Sequence, residues 1–277
     1  MKTEVKYRVK ITAFFFLTAA CVALSIWGPE SMAKYRDKST LGQIHGETIE
    51  EASAGYRYEL NANERLYILS RCLSSQTLPE SEQNAMTHVD MDHQDLEGSY
   101  AFVVNYRGPS GKEITNEEIF DTCNEGLHIL KEAGILPEEV RDVEPAAYDA
   151  VLYSAIDVLE PRNNIAVWKM SLSNSQKNAN KDNRLIDAYI DADDGRLYEF
   201  YVRTPLLWED IDADEIIEKW SKYMGLGNPV TYESDNPLLE VTPYYKKYVF
   251  PGMGEETTVV TVGFFEGINE LFLKISR

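Results

Sequence analysis

The chain of 277 residues is 44% hydrophobic, 26% charged and 11% aromatic, a composition that excludes a disordered tail or a disulfide-stapled miniprotein and allows one to two domains. Its 27 Lys and Arg stand against 46 Asp and Glu, a formal charge of −19 that repels phosphate backbones and so excludes nucleic-acid binding through a basic face.

Residues 1–10 carry Lys2, Lys6, Arg8 and Lys10 against Glu4, and the next 19 residues, 11–29, are uncharged. At about 1.5 Å per residue this run matches the roughly 30 Å of a bilayer's hydrocarbon, so it predicts a single transmembrane helix. The basic tail predicts an inside N-terminus, a cytoplasmic tail over 1–10 and a body outside the cytoplasm. The competing expectation is a signal peptide cleaved near Ala33, after Ser31-Met32-Ala33, which would release a secreted protein. Without residues 1–10 the balance is 23 basic against 45 acidic residues, so the body alone carries −22. Cys72 and Cys123 fall on apolar helical faces and read as buried thiols, and no pair of cysteines or histidines has zinc-site spacing.

Residues 30–60 read as a polar stalk. A unit over 61–111 follows. Asn61 and Glu64 form a capping box for a helix whose stripe is Leu66, Leu69, Cys72 and Leu73. Residues 79–98 make an acidic linker, and a strand spans Tyr100 to Tyr106. The rest reads as one plan used twice, a helix and then an antiparallel meander, over 112–205 and 206–277. The first helix opens at Thr115 with Glu118 and closes at Gly134; the second opens at Asp212 with Glu215 and closes at Gly225. Four strands follow the first helix, at Tyr148 to Leu159, Ile165 to Leu172, Arg184 to Asp191 and Arg196 to Arg203, with Ser173 to Asn183 as a mobile loop. Three follow the second, at Tyr244 to Phe250, Thr257 to Phe265 and Asn269 to Ile275. The expected fold class is therefore α+β: one N-terminal transmembrane helix, then helix-plus-meander units whose likeness suggests a repeat.

The stretch Ile186-Asp187-Ala188-Tyr189-Ile190-Asp191-Ala192-Asp193-Asp194-Gly195-Arg196-Leu197-Tyr198 resembles the hairpin of PepSY-type domains, a PepSY-like or cystatin-like pattern in which a strand ending in Ile-Asp-Ala turns through Asp-Gly into the next. The resemblance, over about 90 residues from Thr115 to Arg203, implies a helix packed on an antiparallel sheet in an extracytoplasmic module. Such modules accompany peptidases and membrane-anchored regulators and bind or restrain them. It implies a role without catalysis and without a cofactor.

No nucleophile elbow, zincin helix, phosphate loop or dinucleotide fingerprint is present. The densest polar cluster surrounds His88, Asp90, Asp92 and His93, where imidazole and carboxylate would suit a zinc or copper ion; the plainer reading is a solvated acidic loop, and no metal is expected. Asp191 to Gly195 and Asp210 to Asp214 lack the glycine and glutamate spacing of a calcium loop. Tyr244, Tyr245, Tyr248 and Phe250 line a short basic strand, and Tyr189, Tyr198 and Tyr201 crowd the earlier hairpin, so a tyrosine-bearing sheet face is a candidate surface for a peptide or glycan, with cross-strand packing as the alternative.

The resulting expectation is a membrane-anchored extracytoplasmic binding or regulatory protein, with a membrane span, a protein partner outside the cytoplasm and no nucleic acid. Two alternatives remain: a cell-envelope hydrolase using paired carboxylates, and an acidic module that binds cations or polycations.

Overall fold

The computed structural model describes residues 17–18, 57–75, 100–179, 182–232 and 244–276. From Glu50 onward the chain forms one compact unit. Its elements are α1 (Ala62–Ser75), β1 (Tyr100–Val104), α2 (Ile119–Glu132), β2 (Tyr148–Asp157), β3 (Asn164–Leu172), α3 (Asn174–Ala179), β4 (Leu185–Asp191), β5 (Leu197–Arg203), α4 (Ala213–Met224), β6 (Val230–Thr231), β7 (Tyr245–Pro251), β8 (Thr257–Phe265) and β9 (Glu270–Ser276).

The nine described strands join one antiparallel sheet in the order β1-β2-β3-β4-β5-β9-β8-β7-β6. This corrects the expected α+β class. The last strand of each anticipated meander, β5 and β9, pairs with the other over Phe200↔Leu273 to Arg203↔Glu270. The meanders are thus halves of one sheet, and the fold is mainly sheet with few helices. Pairing β5 with β9 gives both a second neighbour and leaves no exposed edge at the seam.

No described helix bears out the expected transmembrane span. Among the described residues no helix is long and apolar enough to cross a membrane. The longest described, α1 and α2, have 14 residues each and would span about 21 Å at 1.5 Å per residue, against about 30 Å of hydrocarbon. Apart from Leu17 and Thr18, the run 11–29 lies outside the described residues, as do most of the stalk and the 79–98 linker.

Local sequence signals explain the helix starts. Asn61 and Glu64 exchange side-chain hydrogen bonds with each other's main-chain N–H at 2.9 and 3.0 Å, the reciprocal capping box. Asp212 accepts from the N–H groups of Asp214 and Glu215, and α4 ends at Gly225 in a left-handed conformation with φ of 70°. The Thr115-Glu118 pair also forms, but the regular helix begins four residues later, at Ile119. The segment read as a mobile loop, Ser173 to Asn183, contains α3.

Strand register divides the side chains between two faces. On one, Trp168, Met170, Ile190, Phe200, Val262, Leu273, Tyr248 and Phe250 are buried beneath α2 and α4. Trp220 of α4 meets Phe250 edge to face at 6.0 Å and donates its indole N–H to the Leu197 carbonyl at 3.1 Å. Burial of each such side chain contributes about 1.5–3 kcal/mol. Gly126 lets α2 approach β5, since a Cβ there would lie 2.3 Å from Leu197 Cδ1. On the other face α1 crosses only one end, against β1, β2, β3, β8 and β9. Cys72 points its thiol at the carbonyls of Ala101 and Ile156. It and Cys123 are buried and free, and burial pushes both thiols up to about 12.

Candidate functional site

The half-face that α1 leaves uncovered carries one continuous row of cross-strand neighbours: Asp149, Ser171, Asp187, Tyr201, Phe272, Gly263 and Tyr245, each directly opposite the next across β2, β3, β4, β5, β9, β8 and β7. A second row, Val151, Lys169, Tyr189 and Glu199, runs beside it. Aromatic rings pack on one another along this surface. Tyr201 stacks on Phe272 with centroids 5.8 Å apart, and Phe272 stacks on Phe265 at 4.6 Å. Further along, Phe102 stacks on Tyr153 at 4.5 Å and meets Tyr189 edge to face at 5.8 Å. Gly263 is required here: a Cβ would fall 2.3 Å from Phe272 Cζ, so its absence lets the ring lie flat on β8. Phe265, at the rim, is 47% exposed.

At the centre is Glu199, only 5% exposed. The register between β4 and β5 slips between Tyr189 and Ile190, so Glu199 faces Tyr189 while Leu197, two residues earlier, faces Ile190. Its carboxylate accepts from the Ile275 N–H at 2.9 Å and from the Tyr201 hydroxyl. Burial pushes its pKa up to about 7, against the opposing pull of those two donors and of Lys274 and Lys169. Burial, with the Glu199 charge, raises Tyr201 well above the usual phenol range. Glu199 lies in a groove of about 510 Å³ that is also lined by Lys169, Tyr189, Tyr201, Asp187 and Lys177. Lys177, on α3, pairs with Asp187 at 2.9 Å, while the Lys169 ammonium sits 5.7 Å from the centre of the Tyr189 ring.

The four aromatic residues singled out on the basic strand divide between faces. Tyr245 lies on the open side, with the Lys247 ammonium 5.6 Å from its ring centre. Tyr248 lies on the helix-covered side, where its hydroxyl donates to Asp214 at 2.7 Å. Phe250 is buried there against Trp220. Tyr244, half-buried before β7, hydrogen-bonds Glu266, which raises its pKa. In the other tyrosine group, Tyr189 and Tyr201 face the groove. Tyr198 is buried and donates to Asp191 at 2.5 Å in a network with Arg65. The metal candidates His88, Asp90, Asp92 and His93 lie outside the described residues, and no His, Cys, Asp or Glu group among the described ones could hold a metal ion.

The sequence reading did not single out Glu199, Phe272, Phe265, Phe102 or Tyr153. Strand alternation puts Glu199 and Tyr201 of LYEFYVR on one side, but burial of Glu199 depends on β9, whose Ile275 lies 76 residues downstream. A second cleft, of about 550 Å³ between the loop after α2 and β2, holds Arg141 and Arg184, both already bound to Asp182 at 2.7 and 2.9 Å.

Among the described residues, the fold and site define an antiparallel-sheet protein with one helix-covered face and one half-open aromatic face. No family model matches the chain, and no curated protein or solved structure matches it either.

Proposed function

We propose that the chain is a recognition module without catalytic activity that holds an extended segment of a partner protein against the open half of its sheet, and that it works outside the cytoplasm. The observation that carries this reading is the row of stacked rings on the uncovered half-face, with the half-exposed Phe265 at its rim. Rings fixed by their neighbours offer large contact area with little conformational entropy left to lose, which makes aromatic side chains effective anchors at interfaces. The location rests on the basic residues 2–10 followed by the uncharged run 11–29, the charge-then-apolar order of a secretory signal segment. The resemblance of the β4–β5 hairpin to PepSY-type modules, which bind or restrain other proteins, agrees with this role.

Selection of random twelve-residue peptides displayed on phage against the chain tests the proposal. The expected binders lose at least tenfold in affinity against Phe265→Asp while the thermal unfolding midpoint stays within a few degrees. Selection that yields no binder sensitive to this substitution would overturn it.

A further inference from the structure

We infer that the groove around Glu199 is the seat for a lysine or arginine side chain of the partner, so that the partner segment is basic. The inference rests on the recognition reading above and adds the chemistry of the anchor. Three carboxylates, Asp149, Asp187 and Glu199, line the groove against two ammonium groups, Lys169 and Lys177. Lys177 is already neutralised by Asp187 at 2.9 Å, and Lys169 lies over the Tyr189 ring. The exposed Asp149, and Glu199, on which Lys169 and Lys274 act without a direct ion pair, are left to answer an incoming cation. The Glu199 carboxylate is anchored by the Ile275 N–H and the Tyr201 hydroxyl, so it is aimed before any ligand arrives.

Tyrosine rings beside a carboxylate form a surroundings in which ammonium and guanidinium groups bind both by charge and by attraction to the ring faces. The protein itself illustrates the geometry, since Lys169 holds an ammonium 5.7 Å from the Tyr189 centroid. The charge of −19 over the whole chain complements a basic partner and would steer it to the surface, while the groove supplies a defined contact that diffuse charge does not.

The groups around Glu199 are Asp149 on β2, Lys169 on β3, Asp187 and Tyr189 on β4, Tyr201 on β5, Lys274 on β9 and Lys177 on α3. An added cation favours the ionised carboxylate, so binding should release a proton from Glu199 and strengthen from pH 5.5 to pH 8.

The probes are hexalysine, hexaglutamate and a Gly-Ser hexapeptide, titrated into the full chain labelled with ¹³C at glutamate carboxyl groups. Hexalysine should shift the Glu199 resonance, lower its titration midpoint and bind at least tenfold more tightly at pH 8 than at pH 5.5. Glu199→Gln should lose at least tenfold in affinity while remaining folded under the titration conditions. Lys169→Met, which removes the competing internal ammonium, should gain severalfold. Glu138→Gln/Glu139→Gln, which removes more charge at an exposed loop, should stay within twofold. An equal loss in the Glu138/Glu139 variant, or no shift at Glu199, would overturn the inference. Selected peptides that need Phe265 but carry no basic residue would also overturn it and leave the recognition reading standing. Absence of any Phe265-dependent peptide would instead remove the reading itself.

Discussion

The main-chain N–H of Ile275 donates to the Glu199 carboxylate at 2.9 Å, across the seam where the two halves of the sheet meet. The β5–β9 ladder ends at Phe200↔Leu273, so this donor takes a side-chain oxygen where the ladder no longer supplies a carbonyl. A buried N–H left without an acceptor is costly, and Glu199 therefore closes the seam as well as lining the groove.

Replacing Glu199 by alanine removes the acceptor, whereas glutamine keeps an oxygen in place. Glu199→Ala should lose about 1–3 kcal/mol, the cost of an unsatisfied buried donor. Glu199→Gln at pH 7 should lose less. Urea unfolding measures both. Amide exchange at Ile275 should quicken in the alanine variant alone, and equal stability of the two variants would mean that this hydrogen bond does not hold the seam.

The same residue sets a pH dependence. Folding raises the Glu199 pKa to about 7 from its ordinary value of 4.5, so between these values the folded state binds the extra proton. Its contribution to stability is present in full below the unfolded pKa and is lost as pH rises through about 7. The loss should be on the order of 3 kcal/mol between pH 4 and pH 8, and Glu199→Gln should flatten that part of the profile. Denaturant midpoints across this range would show the difference; an unchanged profile in the variant would assign the dependence to other groups.

Features that depend on a few consecutive residues were legible in the sequence. The Asn61-Glu64 box, the Asp212 cap and the Asp193-Asp194-Gly195 turn, whose glycine has φ of 75°, all follow from local chemistry. The pairing of β5 with β9 was not legible, because it joins Phe200 to Leu273 and no periodicity within either strand specifies a partner that distant. For the same reason the basic strand could not be sorted by face. Tyr245 and Tyr248, three residues apart, point to opposite sides, and only the position of α4 shows that Tyr248 is the one covered. The groove at Glu199 combines both difficulties, since one strand supplies the carboxylate and another buries it.

A second buried charge ties α1 to the β4–β5 hairpin. Arg65 holds Asp191 through Nε at 3.0 Å and Nη2 at 2.7 Å, reaches Asp193 at 2.7 Å, and shares Asp191 with the Tyr198 hydroxyl. The Asp191 side chain is 2% exposed, so Arg65→Met would leave its charge buried and weakly compensated, at a cost of about 3–5 kcal/mol. Adding Asp191→Asn should restore part of that loss, because the second substitution removes the stranded charge. Urea unfolding of the single and double variants gives the coupling, and strictly additive losses would mean that the two groups do not act as a pair.

Gly263 offers the most direct test of the aromatic face, because it acts on the stack from beneath without removing any ring. A Cβ at this position would stand 2.3 Å from Cζ of Phe272 and 2.9 Å from Cε1 and Cε2, so the ring must lift from β8. Phe272 lies between Tyr201 and Phe265, and its displacement would disturb both stacks. Gly263→Ala should therefore cost about 1–3 kcal/mol through overpacking, despite the better strand propensity of alanine. Ring-proton resonances of Tyr201 and Phe265 should move, since each ring shields its neighbour. Affinity for Phe265-dependent peptides should fall at least tenfold. Full affinity retained alongside displaced rings would show that the stack shapes the sheet without taking part in recognition.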